Sequence, residues 1–181
     1  MKKLGIDLDG VVCDYQSYFL ADFNNRFGSK YTLKDWKDYH FVKPGFNLEE
    51  FWNTIKSHSQ TGVWRNLNPI NKSIETINKL SKDNSIHIIT HKIGKAKEDT
   101  IHWLSSRNVT YDTISFTEKK ARLGYVLELD CMIEDSIQNA VSMAATGIMT
   151  LLYNRPWNQE KIDNHLIQRV HSWSQIEKIL S

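Results

Sequence analysis

Apolar positions along this chain fall into two rhythms, short solid runs and repeats of about four residues, and the two take turns. The run from Lys3 to Asp7 predicts a first strand. Tyr15, Phe19, Phe23 and Phe27, spaced four apart, then predict a helix over 15–27. From Gly28 to Asn68 the pattern dissolves into scattered aromatics (Tyr31, Trp36, Tyr39, Phe41, Phe46, Phe51, Trp52, Trp64) with no strand signal. Within it, Pro44-Gly45 marks a turn, and Asn47 before Leu48-Glu49-Glu50 has the form of a helix start. The alternation then resumes. Helices are expected over 71–80, 98–106, 118–127, 137–145 and 172–180, with strands over 85–90, 113–116, 131–133 and 147–153, the last taken as the final strand of the sheet.

Strands that alternate with helices imply an α/β fold: a three-layer, Rossmann-like parallel sheet covered on both faces. The strandless stretch stands apart from this alternation, between the first strand and the second. In such sheets ligands bind beyond the carboxyl ends of the strands, near the point where strand order reverses. Several expected strand ends carry chemistry. The first stops at Asp7-Leu8-Asp9-Gly10, where alternation lets both carboxylates face one crevice. Thr90 ends the second, Glu134-Asp135 the fourth, and Lys119-Lys120 opens the helix after the third. Carboxylates gathered at one rim repel unless a cation lies between them, and a hard divalent ion suits their oxygens.

Composition narrows the class. A formal charge of +2 over 181 residues, with no dense Lys/Arg cluster, argues against a nucleic acid polymer or an anionic membrane as partner. No apolar run reaches the roughly 18–20 residues of a membrane span, and Asp7 and Asp9 interrupt what would otherwise follow Met1-Lys2-Lys3 as a signal segment. Two cysteines, Cys13 and Cys131, make neither a disulfide framework nor a metal-ligand spacing, and each adjoins an apolar run that would bury it. A reducing, cytoplasmic setting fits.

Taken together, Asp7-Leu8-Asp9-Gly10-Val11, Ile88-Ile89-Thr90, Lys120 and Ile133-Glu134-Asp135 resemble the four motifs of haloacid-dehalogenase-like (HAD) phosphatases. The resemblance spans nearly the whole chain and is nearest to the 5′(3′)-deoxyribonucleotidases, which implies a small helical cap of residues 15–67 inserted after the first strand of a core of residues 1–14 and 68–181. Trp64-Arg65-Asn66-Leu67-Asn68-Pro69 resembles their return from cap to core, Thr117-Glu118-Lys119-Lys120 their lysine motif, and His171-Ser172-Trp173 a signature near their carboxyl terminus. It implies a magnesium-dependent phosphomonoester hydrolase acting on a small molecule, a deoxyribonucleoside monophosphate by preference; a homodimer is left open. Asp7 would be the nucleophile and Asp9 the general acid and base. Mg2+ would be held by Asp7, the Asp9 carbonyl and Asp135. Thr90, the His91 amide and Lys120 would bind phosphate, with Lys120 favoured over Lys119 by register.

Two positions depart from the family pattern. Glu134 stands where an aspartate is frequent, which puts Asp135 on the metal and Glu134 behind it. His91-Lys92 replaces a small residue and a proline after Thr90. Tyr18, Phe19 and Trp64 are the expected base contacts, against the plainer reading that each belongs to the cap's own core. Three alternatives keep most of these residues: a HAD phosphatase for another small phosphometabolite, a polynucleotide end phosphatase, and a catalytically silent ligand-binding relative.

Overall fold

The computed structural model describes residues 1–181. Six parallel strands form one sheet: β1 (Lys3–Ile6), β2 (Ser85–Thr90), β3 (Thr113–Phe116), β4 (Cys131–Glu134), β5 (Met149–Tyr153) and β6 (Ile167–Val170), in the order β3-β2-β1-β4-β5-β6. The chain winds outward from β1 to β3, then returns to the other side of β1 with β4. The reversal of strand order therefore falls between β1 and β4, where the carboxyl-end crevice of such a sheet lies.

Strand alternation sorts the core. Leu4, Ile6, Ile86, Ile88, Cys131 and Ile133 face the larger apolar cluster, whereas Ile89 and Met132 face a smaller one with Leu129, Met143 and Ile148. Five helices surround the sheet: α3 (Ser73–Leu80), α4 (Ala96–Ser106), α5 (Lys120–Leu127), α6 (Ile137–Ala144) and α7 (Trp173–Leu180). Gly5 permits the close approach on the smaller side, since a Cβ there would stand 2.6 Å from both Leu129 and Met132. Both cysteines are free and buried, as their apolar neighbours imply.

Between β1 and α3 the chain carries α1 (Tyr15–Phe27), α2 (Leu48–His58), single 3-10 turns at Leu33–Asp35 and Val63–Arg65, and no strand. Asp14 caps α1 by accepting from the Ser17 amide at 3.2 Å, and Gly28 ends it in the left-handed region at φ 61°. Asn47 and Glu50 form a reciprocal capping box on α2. The aromatics of this segment pack on one another. Phe19 is fully buried, with ring centroids of Trp36, Phe41, Phe46, Phe51 and Phe23 between 5.2 and 6.4 Å away. The two ends of the insertion meet: the Asp14 amide donates to Asn68 O at 2.9 Å and the Ile70 amide to Val12 O at 2.7 Å.

Two expectations are corrected. Tyr153 does not close the sheet; β6 pairs parallel to β5 from Thr150↔Ile167 to Tyr153↔Val170. It is a short edge strand whose alternation includes Gln168 and Arg169, too polar to read as a strand. Several helix starts also move by two residues; Lys120, not Glu118, opens α5 because the Lys119 amide is taken by the Thr117 hydroxyl at 3.0 Å. No helix is long and apolar enough to cross a membrane.

Candidate active site

The crevice is built from three strand ends. After Ile6 the backbone holds β-like pairing for one more step, the Asp7 amide donating to Ile133 O at 3.0 Å. It then folds tightly: Leu8 O accepts from the amides of Val11, Val12 and Cys13. Gly10 makes this possible with φ 78°, and a Cβ there would lie 2.1 Å from Asp135 Oδ2. Trp173 of α7 braces the same loop, donating from Nε1 to Val11 O at 2.8 Å. The loop therefore aims Asp7, only 6% exposed, at the end of β4.

There it meets Lys120, whose Nζ lies 2.9 Å from Asp7 Oδ1 and 2.8 Å from Glu134 Oε2. Of the two candidate lysines, Lys120 is buried and Lys119 exposed. Burial alone would lower the Lys120 ammonium, but the Asp7 and Glu134 carboxylates outweigh it and hold it above the ordinary lysine value. Glu134 is fully used: its other oxygen accepts from the amides of Asp135 and Ser136, each at 3.1 Å. Asp135 accepts from Trp157 Nε1 at 3.2 Å, and its carbonyl from Asn158 Nδ2 at 2.8 Å.

Asp7, Glu134 and Asp135 can bring carboxylate oxygens within 4.8 Å of one another, yet Lys120 is the one ammonium paired with them. Burial first, then the neighbouring carboxylates, push Glu134 and Asp135 above the usual carboxylate range. Hard oxygen donors with negative charge in excess are the donor set a magnesium ion takes, and since both Glu134 oxygens are engaged, Asp7 and Asp135, each with one oxygen unengaged, are the side chains that could hold one.

Asp9 turns away from this cluster. Its carboxylate accepts from Trp64 Nε1 at 3.1 and 3.3 Å, from the Cys13 thiol at 3.2 Å, and pairs with the Lys92 ammonium. Burial, then Asp9, pushes the Cys13 thiol up, so it remains a donor. The return segment that carries Trp64 is fastened to α4: Arg65 Nε lies 2.6 Å from Asp99 Oδ1, and Trp103 Nε1 donates to Leu67 O at 2.8 Å.

A cavity of about 420 Å³ opens above these groups. Asp7, Asp9, Thr90, His91, Lys92, Lys120 and Asp135 line its floor; Trp36, Tyr39, Phe51, Trp52 and Ile55 of the insertion form an apolar roof, with the amides of Gln16, Gln138 and Asn139 at its side. Thr90 is buried, and its carbonyl accepts from the Thr117 amide at 3.0 Å, which fixes the strand end. The His91 ring faces Glu118 at 3.1 Å.

The expected base contacts fare differently. Phe19 is the hub of the insertion's aromatic core and does not reach the cavity. Tyr18 is 41% exposed and faces a separate cavity beside Asp22 and His58. Both expectations are corrected: Phe19, one turn beyond the cavity-lining Tyr15, packs among the insertion's own aromatics, and its neighbour Tyr18 points outward. Trp64 does line the cavity, but its ring stacks on Tyr15 at 4.8 Å and its N–H is committed to Asp9. Sequence reasoning missed the roof formed by Trp36, Phe51 and Trp52, the Trp157 and Asn158 braces, and the Lys92 pairing. Only Lys92 left a trace, as a departure from the family pattern after Thr90.

The full length, residues 1–181, matches the profile of the family described as 5′ nucleotidase, deoxy (pyrimidine), cytosolic type C protein (NT5C). The chain is 27% identical to the 5′(3′)-deoxyribonucleotidase of Bacillus subtilis (strain 168), over 99% of each chain. It is also 27% identical to nucleotidase CA_C3379 of Clostridium acetobutylicum, over 97% of this chain and 91% of that one. Among solved structures, the haloacid dehalogenase-like family protein SP0104 of Streptococcus pneumoniae superposes with a TM-score of 0.71 at 15% identity, covering 100% and 99% of the two chains. The magnesium-bound HAD-type hydrolase YfnB of Bacillus subtilis superposes at 0.66 and 14%, covering 99% and 98%. With its sheet, its crevice of carboxylates and its full-length match, this chain belongs to the 5′-nucleotidase, cytosolic type C family of HAD-type phosphomonoester hydrolases.

Proposed function

We infer that this phosphatase is magnesium-dependent, works through an aspartyl-phosphate on Asp7, and takes deoxyribonucleoside monophosphates as substrate. The observation that carries the reading is the Asp7–Lys120 pair, 2.9 Å apart on the floor of an aromatic-roofed cavity with Asp135 beside it. Lys120 pairs with Asp7 and presents a cation to an incoming phosphate oxygen. The Thr90 hydroxyl and the His91 amide would donate to further phosphate oxygens.

An Asp7 oxygen attacks phosphorus as the bond to the nucleoside oxygen breaks, and the Asp9 carboxyl gives its proton to that oxygen. Asp9 then takes a proton from the water that attacks the acyl phosphate, releasing inorganic phosphate and restoring Asp7. A magnesium ion held by Asp7, the Asp9 carbonyl and Asp135 would neutralise charge on the transferring group. The segment 15–67 acts as the cap: its Trp36, Phe51 and Trp52 offer rings to a base, and Trp64 serves Asp9 instead. The full-length match to a deoxyribonucleotidase supports the substrate class.

The experiment is phosphate release from deoxy- and ribonucleoside monophosphates, sugar phosphates and an end-phosphorylated oligonucleotide, with magnesium and with chelator. Magnesium-dependent release strongest on deoxynucleotides, and lost in Asp7→Asn with folding retained, is expected. Full activity in Asp7→Asn would refute the acyl-phosphate route, and preference for a sugar phosphate would refute the substrate class.

A further inference from the structure

Lys92 is the second buried lysine of the crevice and has no place in the chemistry above. Its side chain is 1% exposed, and Asp9 is its one ion-pair partner. Its ammonium also lies 4.8 Å from the centroid of the Trp64 ring. A buried lysine is rare, and removing its charge from water is repaid only where partners are well placed. An apolar side chain would fill the same space at less cost, so the charge is kept for something beyond packing. Lys92 follows directly from the end of β2, two residues after Thr90, and its stem lines the substrate cavity.

The crevice thus holds two ammoniums, each assigned to a different carboxylate. Lys120 sits on Asp7 and Glu134; Lys92 sits on Asp9. Asp9 is also gripped by the Trp64 N–H across both oxygens and by the Cys13 thiol. A carboxyl hydrogen-bonded from three sides is confined to one rotamer, which is what proton delivery to a departing oxygen demands.

Resting on the phosphatase reading, we propose that Lys92 is a positioning residue for leaving-group departure, clamping Asp9 together with Trp64 so that its carboxyl meets the alcohol oxygen as the phosphorus–oxygen bond breaks. The proton passes from Asp9 to that oxygen, and the carboxylate left behind is the one Lys92 pairs with. Lys92 acts through Asp9 and forms no bond to phosphorus.

Such a role has a signature that loss of structure lacks. The value of kcat/KM reports the steps up to departure of the alcohol. Phenyl phosphate leaves as a basic phenolate that needs the proton, whereas p-nitrophenyl phosphate leaves as a stable anion that needs it far less. Both esters are assayed with magnesium in wild type, Lys92→Met, Lys92→Arg and Trp64→Phe. Lys92→Met is expected to lower kcat/KM for phenyl phosphate at least ten-fold more than for p-nitrophenyl phosphate. Lys92→Arg should recover part of that contrast, and Trp64→Phe, which keeps the ring and removes the donor, should skew the esters in the same direction. Equal losses on both esters in Lys92→Met and Trp64→Phe, or none, would overturn the proposal while leaving the phosphatase reading intact. If Lys92→Met does not fold, the ester contrast in Trp64→Phe and Lys92→Arg decides, and its absence there overturns the proposal. Wild-type protein inert toward both esters and every nucleotide would overturn the phosphatase reading and this proposal with it.

Discussion

Replacing Asp135 by asparagine should make the metal-free protein more stable while removing its response to magnesium. Asp135 faces two carboxylates, Asp7 and Glu134, with oxygens that come within 4.8 Å, and it has no ammonium of its own. At that distance and an effective dielectric of about 20, each like-charge pair costs about 3.5 kcal/mol. Attraction to Lys120 offsets part of the two, leaving a net penalty of about 2–4 kcal/mol for the ionised Asp135. Asparagine removes this charge, and its carbonyl can still accept from Trp157. For a chain of this size the gain corresponds to a melting temperature roughly 5–10 °C higher in chelator. The pH dependence has a definite sign. Asp135 and Glu134 are both raised above the usual carboxylate range, so the folded state binds more protons than the unfolded one. Wild type in chelator therefore loses stability as pH rises from the ordinary carboxylate range through the raised folded values, and the gap to Asp135→Asn widens over that window. Saturating magnesium at about 100 times its dissociation constant would return about 2.7 kcal/mol to wild type and little to the variant. Thermal melts in chelator and in magnesium at several pH values read all of this. An Asp135→Asn protein that melts at or below wild type in chelator, or that responds to magnesium equally, would refute the reasoning.

Other substitutions separate the Asp7 loop from the insertion. Gly10→Ala should destabilise the fold by at least about 1–2 kcal/mol from its left-handed backbone alone, and should depress turnover further because its Cβ displaces Asp135 Oδ2; urea unfolding and phosphate release report the two effects. Phe19→Ala removes the hub of the aromatic cluster and should cost about 3–5 kcal/mol, measured by urea unfolding. Tyr18→Ala, at a half-exposed ring outside the cavity, should change stability by less than about 1 kcal/mol and leave KM for nucleotides within two-fold of wild type.

What the sequence revealed depended on whether a residue acts through its backbone position or through distant partners. Asp7, Thr90, Lys120 and Asp135 sit at ends of regular elements, so strand runs and helix starts alone bring them to one rim. The insertion's roof obeys no such rule. Trp36 reaches the cavity from the end of a 3-10 turn and Phe51 and Trp52 from α2, whose place over the crevice is set by the irregular chain before it, whereas Phe19, on α1, is carried inward. Periodicity placed Tyr15, Phe19 and Phe23 on a buried face but also included Phe27, which is exposed, and it did not tell which rings a ligand could touch. The β6 strand escaped notice because an edge strand needs apolar side chains on only part of its length. The Lys92–Asp9 and Trp64–Asp9 contacts join residues far apart in the chain, and no local spacing encodes them.

The meeting of the insertion's two ends has a consequence for how such an enzyme diversifies. Because Asp14 bonds Asn68 and Val12 bonds Ile70, the sheet sees the whole inserted segment as a loop already tied off at its base. Doubling the length of a closed loop costs only about 0.6 kcal/mol of closure entropy. The roof can therefore be lengthened, shortened or exchanged at little cost, while the knot at its base keeps the floor of the crevice in register.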